Sequence, residues 1–336
     1  MLSVICPIYN EERFIAKCID GILAQDYPKD DMEVLFVDGM STDNTRLIIS
    51  NYSKQYPFIK LIDNPDRIVP KAMNVGIRKA HGDIIIRLDG HCEYPVSYFS
   101  SLIEHLSKLN CDNVGGVVDT KPYNENNVSY AISEVLKNPF GVGNSLFRIG
   151  TRDITKVDTV PFGCFRRSIF EEIGVYDEDL IRNQDDELNA RIIKNGGTIY
   201  LVPSIEITYF ARDKISKVWK MYYQYGLFKP LVNKKLGNAA TLRQFVPPLF
   251  VLGIVVGIPL CFVSIWIMYF FCACVALYLI MGFIQGIKSA KKTKRIMMIF
   301  LMPYVFFNVH LAYGLGYWIG LFKVLFHRPF VVKANR

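Results

Sequence analysis

Three signatures of common nucleotide and metal sites are missing from this 336-residue sequence. It contains no Gly-x-Gly-x-x-Gly and no Walker loop, which argues against a dinucleotide-binding fold and a phosphate-loop ATPase. Its eight cysteines show no Cys-x-x-Cys spacing, so we expect reduced thiols and neither a zinc site nor a disulfide framework. Any phosphate group must therefore be bound by basic side chains and a metal ion.

Charge is absent from two long stretches in the second half of the chain. Residues 245–284 are forty residues without a formal charge, and residues 296–322 are another twenty-seven. Because about 20 apolar residues cross a bilayer, the first stretch predicts two spanning helices, at about 245–263 and 265–284. Polar residues and glycines interrupt the second stretch, which is either a third span or a re-entrant or interfacial segment. The sequence thus predicts a membrane region over residues 245–325.

Positive charge is concentrated at the borders of this region. Residues 212–243 carry eight Lys or Arg against one acid, interleaved with aromatic residues, which predicts interfacial helices over 212–244 that lie on anionic lipid headgroups. Nucleic-acid binding is the competing interpretation, disfavoured because the stretch leads directly into hydrophobic spans. The loop 288–295 has five cations and no acid, so the positive-inside rule assigns it and the front domain to the cytoplasm. A basic tail, 326–336, ends the chain.

The front domain, residues 1–211, alternates between strand-like and helix-like patterns. The periodicity predicts strands at 2–7, 33–37, 59–62 and 83–88, separated by helices at 11–25, 42–52 and 70–80. This alternation is typical of βαβ units and a mostly parallel sheet. The predicted fold class is therefore α/β, followed by an all-α transmembrane region.

Polar residues follow several of these strands, at the edge where ligands bind in such sheets. Asp89 and His91 end the fourth strand two residues apart, so both side chains can reach one divalent ion that bridges a diphosphate. Asp38 leaves the second strand, where an acid can bind a base or a ribose hydroxyl. Asn10 after the first strand also fits the N-cap of a helix. Lys71 is a candidate phosphate ligand.

Six segments in register carry a family resemblance. They are SVICPIYNE (3–11), VDGMSTDNT (37–45), PKAMNVG (70–76), RLDGH (87–91), FGCFRRSIFEEIGVYDE (162–178) and QDDELNARI (184–192). The chain resembles the family 2 glycosyltransferases with the GT-A fold, and among them the membrane-anchored group similar to succinoglycan-type glucosyltransferases. The resemblance covers about residues 1–230, and it implies a GT-A catalytic domain over 1–211.

The resemblance implies a nucleotide pocket and a metal site. The nucleotide-binding residues would be Pro7, Tyr9, Glu11, Asp38, Lys71 and Asp89, with uridine as the usual occupant. Asp89 and His91 match the acidic metal motif and imply Mn²⁺ or Mg²⁺. Since His stands where Asp is commoner, imidazole shifts the preference toward Mn²⁺. The alternative is that Asp89 alone serves the metal and His91 is structural or binds substrate.

The resemblance also implies an acceptor loop and a base. Gly163, Cys164 and Phe165 match the loop that faces the acceptor sugar, and Asp185 matches the catalytic base. Asp186 lies about 100° away around a helix, so only one of these two carboxylates can face the cleft. The neighbouring acids leave the assignment imperfect, and an acidic first turn of a surface helix is the alternative.

The function implied is that of an inverting, metal-dependent glycosyltransferase. It would move one sugar from a nucleotide-diphosphate donor, UDP-linked, to a polyprenyl-linked glycan at the cytoplasmic face of the cell membrane, in exopolysaccharide or related synthesis. The Gln-x-x-Arg-Trp element of processive members is missing, which disfavours a polymer-extruding synthase. The alternatives are a polyprenyl-monophosphate glycosyltransferase similar to dolichol-phosphate-mannose synthase, and a non-catalytic nucleotide-sugar-binding membrane protein. The expected partners are the donor, the acceptor and membrane lipids, with no nucleic acid.

Overall fold

The structure is a computed structural model, and it describes residues 1–239 and 241–330. These residues form two compact units. The first, here called the sheet unit, comprises Met1–Asp119 and Gly150–Tyr209. The second, the helical unit, comprises Thr120–Ile149 and Phe210–Phe330. The predicted basic tail, 326–336, lies outside the described residues from position 331 onward.

The strands and helices alternate through the first third of the chain, and the described residues after β9 form helices and no strand. In chain order they are β1 (Leu2–Ile8), α1 (Ile15–Leu23), β2 (Met32–Asp38), α2 (Thr45–Gln55), β3 (Ile59–Asp63), α3 (Val69–Lys79), β4 (Ile84–Arg87), β5 (Cys92–Glu93), α4 (Tyr98–Lys108), β6 (Asn113–Lys121), α5 (Asn127–Leu136), α6 (Pro139–Val142), α7 (Leu146–Ile149), β7 (Thr155–Lys156), β8 (Cys164–Arg166), α8 (Ser168–Glu172), α9 (Gln184–Lys194), β9 (Ile199–Phe210), α10 (Ile215–Leu236), α11 (Val246–Leu260), α12 (Ile265–Thr293) and α13 (Met298–Leu325).

The strands form one mixed sheet in the order β3-β2-β1-β4-β8-β6-β9-β5, with β7 paired to β9. The pairs of β1 with β2, β1 with β4, and β2 with β3 are parallel, as the sequence predicts. The later strands differ, because β8 runs antiparallel to both β4 and β6. The four predicted strands and three predicted helices of the parallel half are confirmed.

The start of α1 differs from the prediction. The helix begins at Ile15, not near residue 11, and Asn10 is not its N-cap. The backbone of Asn10 is left-handed, with a φ of +54°, so the chain turns sharply after β1. The side-chain oxygen of Asn10 instead accepts a hydrogen bond from the amide of Thr42, at 2.8 Å. This contact joins the loops after β1 and β2.

The hydrophobic core of the sheet unit fixes the register of the central strands. All seven residues of β1 and all seven of β2 are buried, as expected for parallel strands that are covered on both faces. A shift by one residue would turn every side chain to the opposite face, so burial on both sides of β1 holds its pairing with β2 and β4 in place. The registers of these three strands are therefore fixed relative to one another.

The helical unit contains three helices long and apolar enough to cross a membrane: Leu242–Leu260, Ile265–Thr293 and Met298–Leu325. The third is continuous over 28 residues, although its sequence is interrupted by polar residues and glycines. Which of them span the membrane, and over which residues, stays a prediction.

Glycines allow α10 and α13 to pack backbone against backbone. A Cβ at Gly316 would lie 2.2 Å from the carbonyl oxygen of Tyr223, and one at Gly226 would lie 2.0 Å from that of Tyr313. Such contacts between small residues are typical of helices packed within membranes. The helix α10 is thus held along α13 by close van der Waals contact.

We expect Gly316→Ala to destabilise the helical unit. The added methyl group must push α10 and α13 apart, and overpacking of this kind costs about 1–3 kcal/mol. Gly253→Ala in α11 is the matched control, since a Cβ there meets nothing within 4 Å. The thermal unfolding midpoint in detergent should fall for Gly316→Ala and stay unchanged or rise for Gly253→Ala. Equal midpoints in the two variants would contradict the packing argument.

Candidate active site

Parallel pairing brings the polar residues after β1, β2 and β4 to one edge of the sheet. Ile8 at the end of β1 pairs with Asp38 at the end of β2, and Ile5 pairs with Arg87 at the end of β4. The amide of Gly39 donates to the carbonyl oxygen of Ile8, at 2.8 Å, so the two loops leave the sheet together. The candidate site is built on this edge.

Three potential metal ligands converge here: Glu11, Asp89 and His91. Their ligand atoms all lie within 4.8 Å of one another. His91 Nδ1 contacts Asp89 Oδ1 directly and lies 3.7 Å from Glu11 Oε1. Two carboxylates and one imidazole are a donor set suited to a divalent ion such as Mn²⁺. Glu11, which the resemblance assigns to the nucleotide, is therefore also in place to bind the metal.

The electrostatic surroundings keep Asp89 ionised. Burial by itself would raise the pKa of this carboxyl, but the neighbouring His91 and the Arg87 guanidinium outweigh burial and lower the pKa below its usual range. The turn that carries Asp89 is held by Tyr94, whose hydroxyl accepts a hydrogen bond from the Asp89 amide at 2.8 Å. A fixed and charged carboxylate is what a metal ligand requires.

Asp38 is fully buried and paired. Its carboxylate accepts hydrogen bonds from the amide of Ser41 at 3.0 Å and from the Arg46 guanidinium at 2.6 Å. Arg46 extends to Asp63 at the end of β3, at 2.8 Å. A direct contact between Asp38 and a nucleotide stays a prediction. Arg46 is a residue that sequence reasoning missed, and only the strand order of β1, β2 and β3 reveals it.

The other predicted nucleotide-binding residues occupy different environments. Pro7 is buried within β1. The half-buried Tyr9 lies beside Gly39, where a Cβ would come within 3.3 Å of its ring. Lys71 near the start of α3 forms an ion pair with Asp66 at 2.9 Å, and this hydrogen bond raises the pKa of Lys71. Tyr9 is thus positioned by the loop after β2, and Lys71 by its acidic neighbour.

The predicted acceptor-loop residues belong largely to the core. Cys164 and Phe165 are 0% and 3% exposed in β8, where they pair with Ile86 and Ile85 of β4. Burial raises the pKa of the Cys164 thiol, so this residue stays neutral. Gly163 precedes the strand, and its carbonyl oxygen accepts a hydrogen bond from the Arg87 amide at 3.1 Å. The acceptor-binding role of all three stays a prediction.

Asp185, the predicted base, lies in the first turn of α9 and forms an ion pair with Arg87. Burial raises the pKa of Asp185, and Arg87 opposes that shift without cancelling it. Its neighbour Glu187 is paired within the helix to Arg191, at 2.6 Å. Of these two carboxylates, Asp185 is the one that contacts the end of β4.

Buried amides hold α9 and the segment before it in place. The side chain of Asn113 in β6 donates to Asn189 in α9 at 2.8 Å, and Asn189 donates to Thr159 at 2.7 Å. Asn74 in α3 exchanges two hydrogen bonds of 2.9 Å with the backbone of Tyr176. The structural role of these amides is not apparent from the sequence, although Asn74 lies within the PKAMNVG segment.

A mixed sheet with an acid and imidazole cluster at the carboxyl edge of its parallel strands defines the class of this protein. It has the GT-A fold of nucleotide-diphospho-sugar transferases. The family model "Glycosyl transferase family 2" matches residues 3–174, and the chain belongs to that family. It is therefore a glycosyltransferase.

Relatives match the chain beyond the sheet unit. A dolichyl N-acetyl-alpha-D-glucosaminyl phosphate 3-beta-D-2,3-diacetamido-2,3-dideoxy-beta-D-glucuronosyltransferase from Methanococcus voltae is 29% identical over 331 residues, covering 96% of this chain and 97% of the relative. Succinoglycan biosynthesis protein ExoA from Rhizobium meliloti (strain 1021) is 28% identical over 246 residues, 73% of each chain. Among solved structures, the mannosyltransferase PcManGT from Pyrobaculum calidifontis, in complex with GDP-Man and Mn²⁺, has a TM-score of 0.57 at 18% identity, covering 93% of this chain and 86% of its own.

We expect Arg46→Met to destabilise the sheet unit by about 2 kcal/mol, because it removes the cation from a buried carboxylate. Asp63→Asn is the matched control: it breaks the other ion pair of Arg46, but Asp63 is 57% exposed and its loss should cost less than about 1 kcal/mol. Chemical denaturation of the full chain measures both. A larger loss for Asp63→Asn would contradict the assignment of Asp38 and Arg46 as the supporting pair.

Proposed function

We propose that this glycosyltransferase transfers one sugar, with inversion, from a UDP-linked donor to a polyprenyl-linked glycan at the cytoplasmic face of the cell membrane. The observation that carries the proposal is the juxtaposition of a metal-ligand cluster with a separate carboxylate. Arg87 links Asp185 to the same strand end that leads into Asp89 and His91. At this edge of the sheet, the metal-ligand cluster is placed for the leaving group and Asp185 for the acceptor hydroxyl.

The acceptor class is inferred from two features. The Methanococcus voltae relative is named for transfer to a sugar on a dolichyl phosphate lipid, and this chain matches it almost end to end. The helical unit supplies three helices long and apolar enough to cross a membrane. The segment 288–295, which forms the last turns of α12 and the two residues after it, is rich in Lys and Arg and favours the cytoplasmic side by the positive-inside rule. A lipid-linked acceptor fits an enzyme held at that surface.

The proposed reaction is a single displacement. Asp185 accepts the proton of the acceptor hydroxyl while that oxygen forms a bond to the anomeric carbon of the donor sugar. The bond from this carbon to the diphosphate oxygen breaks, and the nucleoside diphosphate leaves with the bonding electron pair. Because attack and departure occur on opposite faces, the anomeric configuration inverts.

The residues that would hold a divalent cation are Glu11, Asp89 and His91. When bound, such an ion neutralises charge on the diphosphate leaving group. Tyr9 and the pair of Asp38 with Arg46 are proposed to form the nucleotide end of the site, and Lys71 to contact phosphate. Gly163 and its neighbours are proposed to line the acceptor side.

The rival within the same class is transfer of the sugar onto a bare polyprenyl monophosphate. The name of the Methanococcus voltae relative specifies an acceptor that already carries a sugar, which favours the lipid-linked glycan. The non-catalytic role considered from the sequence does not fit a member of the glycosyltransferase family. The two acceptors give different labelled products in one assay.

We expect membranes that contain the full chain to transfer label from a sugar nucleotide into a lipid extract, on a species that already carries a sugar. UDP-glucose, UDP-N-acetylglucosamine and GDP-mannose are the donors to compare. Asp185→Asn should abolish transfer while UDP binding stays nearly unchanged, because the amide cannot take the acceptor proton. Asp186→Asn on the same helix turn is the matched control and should remain active.

Three outcomes of this assay would overturn parts of the proposal. Label on a bare monophosphate lipid would mean that the acceptor is a polyprenyl monophosphate and not a lipid-linked glycan. Unchanged transfer by Asp185→Asn would mean that Asp185 is not the catalytic base. Transfer from GDP-mannose, with none from the two UDP-linked donors, would replace the donor nucleotide.

We expect His91→Asp to shift the metal preference toward Mg²⁺, since it replaces an imidazole ligand by the carboxylate oxygen that Mg²⁺ prefers. Electron paramagnetic resonance of Mn²⁺, titrated against Mg²⁺ in the presence of UDP, measures the ratio of affinities. Asp89→Asn is the control and should weaken binding of both ions. An unchanged ratio in His91→Asp would assign the metal to Asp89 and Glu11 alone.

A further inference from the structure

Arg87 is a buried cation at the centre of the candidate site, and neither the family resemblance nor the reaction scheme gives it a role. It is the last residue of β4, and its side chain is 9% exposed. A buried guanidinium is costly unless it is paired and hydrogen-bonded. The contacts of Arg87 therefore indicate its role in the candidate site.

The side chain of Arg87 joins three parts of the sheet unit. One terminal nitrogen donates to Asp185 Oδ1, and Tyr176 is a further electrostatic neighbour of the guanidinium. The guanidinium carbon lies 6.0 Å from the centroid of the Phe162 ring, next to the predicted acceptor loop. The backbone amide of Arg87 is bonded to Gly163 as well, so strand, loop and helix meet at one residue.

The position of Arg87 along β4 relates it to the metal cluster. Arg87 is the last residue of β4, and Asp89 lies two positions further along the chain in the turn that follows. The positive charge of the Arg87 guanidinium interacts electrostatically with the carboxylates of both Asp185 and Asp89. Two carboxylates with separate tasks are thus held near one another by a shared cation.

The contact with Arg87 engages one oxygen of the Asp185 carboxylate and leaves the side chain partly accessible, as a base requires. Arg87 binds Oδ1 of Asp185, and the Asp185 side chain is still 34% exposed. Within residues 1–239 and 241–330, the buried Nε of Arg87 has no hydrogen-bond partner. An arginine selected for stability alone would be expected to satisfy its buried donors, and buried unsatisfied groups often occur at functional sites.

We propose that Arg87 is a positioning residue that holds the Asp185 carboxylate through Oδ1 and directs Oδ2 toward the acceptor hydroxyl. The proposal rests on the function proposed above, in which Asp185 is the base. Arg87 ties the first turn of α9 to the end of β4, so the distance from the base to the leaving-group end of the site is set by the sheet. Arg87 acts through Asp185 and does not touch the reacting atoms.

The test uses the full chain, the donor with the highest rate among the three compared above, and the variants Arg87→Ala and Arg87→Lys. We expect Arg87→Ala to lower kcat about 100-fold, since misplacement of a catalytic group by about 1 Å has an effect of this size. The KM for the donor should change less than about threefold. Arg87→Lys should be intermediate, because it keeps the charge but loses the planar fork.

Chemical rescue separates positioning from simple stability. Millimolar guanidinium chloride should restore part of the activity of Arg87→Ala and none of the activity of Asp185→Asn. Arg191→Ala is the matched control: it removes another guanidinium paired to an acid on α9, and guanidinium should not alter its rate. The double variant Arg87→Ala with Asp185→Asn should be no slower than Asp185→Asn alone, because the two residues act as one unit.

Each result decides between the two proposals. Loss of activity in Asp185→Asn, together with an Arg87→Ala variant that keeps more than a third of the wild-type kcat, would overturn the role of Arg87 alone. Absence of rescue in both Arg87→Ala and Arg87→Lys, with a thermal midpoint below that of the wild type, would make Arg87 a structural residue. An active Asp185→Asn would instead refute the base assignment and the proposal together.

Discussion

Parallel pairing of β1 with both β2 and β4 is the constraint on which the rest of the sheet unit depends. Both central strands β1 and β2 are buried along their whole length, so a slip of one residue would turn every side chain to the opposite face and disrupt the packing on both sides. The fixed registers bring Asp38, Asp89 and the turn after Ile8 to one edge. Side chains on the loops after these strands then need to extend only a short distance to complete the site.

Charge at the edge of the sheet is the second determinant, and the acids of the candidate site are paired. Asp38 is held by Arg46, Asp185 by Arg87, and Asp89 lies between His91 and Arg87. Such pairs contribute little net stability, because the loss of hydration offsets most of their attraction. What they provide is a fixed geometry for groups that must remain charged in a partly buried cleft. The same logic extends to Asn74 and Asn189, whose buried amides fix the chain around α9.

The sequence predicts the parallel half of the fold well, because strands and helices there alternate with clear hydrophobic periods. It predicts less about the second half of the sheet, where β8, β6 and β9 pair over long sequence separations and carry no local signal of their neighbours. The same limit applies to the site. Asp89 and His91 are visible as a strand-end pair, whereas Glu11 joins them as a potential ligand only because the loop after β1 turns back sharply at Asn10.

By itself, the sequence determined the class of the fold, the apolar helices and the identity of the acids that follow the strands, because these depend on local periodicity, hydropathy and short motifs. Tertiary structure alone decided the partners of those acids. Arg87 and Asp185 are 98 positions apart along the chain, and their ion pair depends on the antiparallel contact of β4 with β8 and on the placement of α9. Pairing at such separation follows from the packing of whole elements, which no local pattern encodes.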